Sequence, residues 1–112
     1  MLYTQFVETV SERADVSLGE AEVLTRAVLR TLSERITGTA ARDLAAHLPV
    51  ELQPYLRGVD DPAEQFDAGE FVRRVSVRAA VDRQTAEDGV EAVFDTVDTV
   101  IDGFQGWRGW RP

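Results

Sequence analysis

FVETVSERADVSLGEAEVLTRAVLRTLSERITG, residues 6–38, falls without a gap on FVRRVSVRAAVDRQTAEDGVEAVFDTVDTVIDG, residues 71–103. The offset is 65 residues, and 14 of the 33 aligned positions are identical. Identical pairs include Phe6 and Phe71, Val10 and Val75, Ala14 and Ala79, Ala27 and Ala92, Val28 and Val93, and Ile36 and Ile101. Most are apolar or small, as expected if two units share one packing scheme.

Each unit reads as two helices. Phe6, Val7, Val10 and Ala14 recur at helical spacing, and Ala21, Leu24, Val28, Leu32 and Ile36 repeat the pattern after a short break. Ser17 stands three residues before Glu20, the signature of a capping box. Gly38 is expected to stop the second helix. In the later unit Asp67 and Glu70 form the corresponding box, Asp82 caps the next helix, and Gly103 ends it. A break of a few residues between helices implies an antiparallel αα-hairpin.

The two hairpins continue differently. After the first comes TAARDLAAHLPVELQPYLRG, residues 39–58, in which Thr39 is expected to cap a short helix carrying Leu44, Ala45 and Leu48. Pro49 suits a fresh helical start, with Leu52, Tyr55 and Leu56 on its apolar face, and Pro54 limits its length. The second hairpin has no such extension, so one of its faces is expected to need cover from elsewhere. The fold class expected is all-α, a helical bundle of two pseudo-repeated αα-hairpins, the first with a short helical extension. One helical domain spans 1–103, with repeat one at 2–57, a polar linker at 58–67 and repeat two at 68–103; a Trp-rich tail occupies 104–112.

The arrangement of hairpin, ARDLAAHLP at residues 41–49, acidic linker and FDAGEFVRRV restart resembles the bacterial domain-of-unknown-function family 2267. The resemblance covers about residues 2–102 and implies an all-helical, two-repeat, cytoplasmic bacterial protein, with no activity attached. Members usually repeat the LP segment after the second unit; this chain ends in the tail instead. Each hairpin is also similar, more weakly, to the N-terminal hairpin of HU-type histone-like proteins, through FVETVSERADVSLGEAEVLTRAVLRTL and AEDGVEAVFDTV. That likeness implies a helical association module. The β-ribbon arm that grips DNA in those proteins has no counterpart in this sequence.

Composition narrows the function classes. With no cysteine, disulfides, thiolate metal sites and thiol redox chemistry are excluded. A formal charge of −8 opposes direct binding to nucleic acid and to anionic membranes. No apolar run is long enough to span a bilayer, and the amphipathic N-terminus does not read as a signal peptide, so a cytoplasmic location is expected. All twelve basic residues are arginine.

Catalytic, cofactor and metal sites are not expected. His47, the single histidine, has no ligand pattern or nucleophile motif near it and lies where a short helix ends. Asp60, Asp61, Glu64, Asp67 and Glu70 lack the alternation and central glycine of a calcium loop, and read as a solvated linker running into a helix cap. The tail is the least ordinary segment. Phe104, Trp107 and Trp110 recur every third residue among glycines, with Arg108 and Arg111 beside the tryptophans. An extended run with three residues per turn would align the rings. They either fold back on the second hairpin or form an interface with another subunit or protein, where Trp and Arg are the usual anchors. The expected function is therefore a non-enzymatic protein–protein interaction or assembly module, self-associating, with a homodimer as one form, or binding a protein partner. The alternative is a DNA-associated accessory protein of HU-like ancestry acting through a partner.

Overall fold

The computed structural model describes residues 1–56 and 63–101. Among these residues five α-helices and one 3₁₀ segment occur in the order α1 Tyr3–Ala14, α2 Leu18–Arg35, α3 Gly38–Ala45, the 3₁₀ segment Val50–Leu56, α4 Ala68–Ala79 and α5 Arg83–Val100. No strand occurs among the described residues, and the fold is all-α. Helices α1 and α4 each have 12 residues, and α2 and α5 each have 18.

The caps expected from sequence close three helix starts. Ser17 accepts from the Glu20 amide, Asp67 from the Glu70 amide and Asp82 from the Thr85 amide. Each satisfies a donor with no intrahelical partner. Neither expected box is completed by its glutamate side chain; the Glu70 carboxylate turns instead to Arg73 and Arg74. The two hairpin bends share a local device. Asp15 and Ala80 each adopt a left-handed conformation with φ 56°. Ser11 and Ser76 each place a hydroxyl on the carbonyl five residues on, that of Val16 or Val81, at 2.6 Å.

Two local expectations need correction. Thr37, not Thr39, caps α3, accepting from the Ala40 amide at 3.1 Å. Gly38 does not stop α2; it is the first residue of α3. The reason is that Ile36 leaves α2 in an extended conformation (φ −114°, ψ 162°). An extended exit needs no left-handed residue, so the glycine is free to start the next helix. The 3₁₀ segment carries Pro54 inside it and still buries Leu52 and Leu56. Leu44 and Leu48 are buried as well.

The core runs between the hairpins. Helix α1 lies against α2 and α5, α4 lies against α5 and α2, and α2 and α5 touch directly. The 3₁₀ segment lies on α2, α3 and α1. Phe71, Val75, Val90, Val93, Phe94 and Val97 are all buried, so in the folded chain these core positions of the second hairpin do not form a bare face. Val77, 67% exposed, is the large apolar side chain of α4 and α5 that stands out in solvent. Phe66 stacks on Phe71 (6.2 Å between ring centroids), and Phe71 meets Phe94 edge to face at 5.6 Å.

Candidate functional site

Among the described residues, a dense polar constellation lies where α4 crosses the end of α2. Its members come from three elements: Glu34 from α2, Glu64 and Phe66 from the segment entering α4, and Glu70, Arg73, Arg74 and Arg78 from α4. One helical turn brings Glu70 beside Arg73 and Arg74. Arg73 Nε donates to Glu70 at 2.7 Å and Arg74 Nε at 2.9 Å. The rest of the Arg74 guanidinium reaches Glu34 at 3.3 Å and Glu64 at 3.1 Å, and its central carbon lies 4.0 Å from the centre of the Phe66 ring. Arg78 grips Glu34 through two bonds of 2.7 Å and donates also to the buried Thr31 hydroxyl at 2.8 Å. The main chain ties in too, with the Glu64 amide on the Glu34 carbonyl at 2.9 Å and Arg35 Nε on the Phe66 carbonyl at 3.1 Å.

Together Glu34, Glu64, Arg73, Arg74, Val77 and Arg78 line an open depression of about 370 Å³. Its electrostatics reflect the pairing. Hydrogen bonds from Arg78, reinforced by Arg74 and opposed by burial, hold the Glu34 carboxyl below its ordinary range. Arg73, then Arg74, bring Glu70 down to about 2. Glu64 and Glu70 raise the pKa of Arg74 in turn. Both shifted carboxylates are therefore ionised across the neutral range, and are poor proton acceptors there.

A second depression of about 320 Å³ lies between α1 and α5, lined by Arg13, Asp88, Glu91, Ala92 and Asp95. Arg13 donates to the buried Thr96 hydroxyl at 3.2 Å. On the α1–α2 side, the Tyr3 hydroxyl donates to Glu22 at 2.7 Å, and Arg26 and Arg30 lie over the Tyr55 ring. Burial first, and then the Glu22 carboxylate, push the Tyr3 hydroxyl up.

The residues singled out from sequence do not converge. His47 is exposed, and its amide donates to the Leu44 carbonyl. In the acidic run, Glu64 is pinned to Arg74, Asp67 caps α4 and Glu70 pairs with Arg73 and Arg74, so this end of the linker is anchored and not merely solvated. Asp60 and Asp61 lie outside the described residues, as do the tail residues Phe104, Trp107, Arg108, Trp110 and Arg111. Among the described residues no three His, Asp or Glu side chains are grouped as metal ligands, and no helix is long and apolar enough to cross a membrane. Sequence reading missed the Glu34–Arg78 clamp. It also missed the pairing of Glu70 with Arg73 and Arg74, although the three- and four-residue spacing along one helix carries that signal, whereas Glu34 and Arg78 meet only across two helices.

Residues 3–105 match the model of the family described as uncharacterized conserved protein (DUF2267). The chain belongs to that family. No curated protein and no solved structure matches this DUF2267 chain. The family's description carries no activity, so the function of this member rests on the geometry of its own residues.

Proposed function

We propose that this DUF2267 chain is a non-enzymatic protein–protein interaction or assembly module of the bacterial cytoplasm, with Phe104, Trp107, Arg108, Trp110 and Arg111 as its interface anchors. The observation that carries this reading is the state of the α2–α4 depression. Its arginines are engaged by carboxylates, and Glu34 and Glu70 are held ionised by them. Such a surface offers a fixed pattern of charge and hydrogen bonds, suited to recognition. General acid–base work instead needs a group poised near the working pH. The aromatic and arginine-rich tail has the composition of interface hot spots.

Removal of residues 104–112 tests the reading. The full chain is expected to self-associate in light scattering, and the shortened chain to be monomeric with an unchanged helical circular-dichroism signal. A full chain that stays monomeric at high micromolar concentration, and whose truncation lowers its melting point, would make the tail a lid in cis and overturn the proposal.

Binding to duplex DNA is expected to be weaker than about 10⁻⁶ M at physiological salt, because phosphate neutralisation needs free clustered cations. Here the net charge is −8, and Arg73, Arg74 and Arg78 are engaged by carboxylates. Fluorescence anisotropy with a labelled duplex checks this. Tighter binding that falls steeply with salt would favour the HU-like accessory role instead.

A further inference from the structure

The crossing of α2 and α5 is built as a knob in a hole. A Cβ added to Gly89 would lie 2.8 Å from Leu24 Cδ2, 3.1 Å from Cδ1 and 3.2 Å from Cγ. Leu24 is wholly buried. Its side chain therefore fills the space that a side chain at position 89 would need.

Leu24 and Gly89 hold the same place in the two hairpins, 65 residues apart. Other contacts recur with the hairpins exchanged. Arg13 on α1 donates to Thr96 on α5, and Arg78 on α4 donates to Thr31 on α2; both donors and both acceptors are 65 residues apart. Likewise α1 packs on α5 as α4 packs on α2. Reciprocal contacts of this kind are the mark of a two-fold interface, and a residue on the axis of such an interface meets its own counterpart.

We propose that a pseudo-two-fold axis passes between Leu24 and Gly89, and that this unequal pair makes the inter-hairpin face selective for an unlike hairpin. The face of α1–α2 accepts a hairpin with a glycine-sized residue at that place, and rejects one with leucine there, including a second copy of itself. Two leucines would compete for a space that holds one, which strains a close-packed core. Two glycines would leave a cavity. The chain consequently closes hairpin on unlike hairpin, and like-with-like pairing between copies is disfavoured.

The test uses the full chain in three variants. Gly89→Leu places leucine at both positions, Leu24→Gly places glycine at both, and the double exchange moves the knob to the other hairpin. Each single variant is expected to lower the melting midpoint by on the order of 10 °C or more. The double exchange is expected to recover more than half of the summed loss, and the intrinsic helix cost of glycine cancels in it because one glycine remains. A double variant that loses as much as the two singles together overturns the proposal. Should Gly89→Leu fail to fold, Gly89→Ala is measured in the wild-type and Leu24→Ala backgrounds. A shift more favourable by several degrees in the second background supports the knob-in-hole contact, and equal shifts overturn it.

Discussion

Replacing Phe71 with alanine is expected to remove about 3–5 kcal/mol of stability, the range for deleting a buried phenyl side chain from a core that relaxes only partly. Phe71 is fully buried and is the middle ring of three, stacked on Phe66 and edge to face with Phe94. Aromatic pairs of this geometry add about 0.5–1.5 kcal/mol beyond the area they bury. The ring also joins elements that are distant in sequence, since Phe66 lies on the segment entering α4 and Phe94 lies in α5. Phe66 in turn supports the Arg74 guanidinium. The same variant is therefore expected to loosen the α2–α4 depression as well as the core. A domain of this size has about 5–15 kcal/mol in total, so the variant should sit close to the edge of folding. Urea unfolding followed by circular dichroism measures the loss. A value under about 1.5 kcal/mol would show that the three rings do not form the packed cluster described.

Replacing Leu52 with alanine is expected to lose about 2–5 kcal/mol, the range for a buried leucine. Leu52 is wholly buried on a segment whose backbone holds itself weakly, because the 3₁₀ geometry is poor in hydrogen bonding and Pro54 donates no amide proton. Side-chain burial on α2 and α3, by Leu52 and Leu56, must therefore do most of the holding. Hydrogen exchange is expected to show the lost protection concentrated in residues 38–56, with α4 and α5 less affected. Protection lost evenly over all helices would mean that the extension is inseparable from the two-hairpin core.

The helices and the all-α class were legible because their signals are local. Ser17, Asp67 and Asp82 cap helices by hydrogen bonds to amides three residues away, and such contacts can be read from spacing alone. The helical periodicity likewise marks Phe6, Val10, Leu24 and Val28, and Phe71, Val75, Val90 and Val93, all of which are buried. Where local signals compete, spacing alone misleads. Two threonines and a glycine come after Ile36, and the choice of Thr37 as cap depends on how the chain leaves α2.

The site was much less legible. Glu70 and its arginine neighbours share one helix, but Glu34, Glu64 and Arg78 join them only through folding. A carboxylate on a helix face looks solvated in sequence whether or not an arginine from another helix will reach it. Gly89 reads as a weak point in a helix, since glycine disfavours helical backbone. Only the crossing with α2 shows that the missing side chain is the room for Leu24.

By itself, then, the sequence determined the helices, the caps of α2, α4 and α5, the apolar faces and the family, because each depends on residues within a few positions or on the chain as a linear pattern. Tertiary structure decided which hairpin face meets which, where Leu24 finds its hole, and how Arg74 comes to bind Glu34, Glu64 and Glu70 together. Those outcomes depend on distances between residues tens of positions apart. Such distances are set only when packing of the two hairpins chooses one relative placement out of the many that equally amphipathic helices would allow.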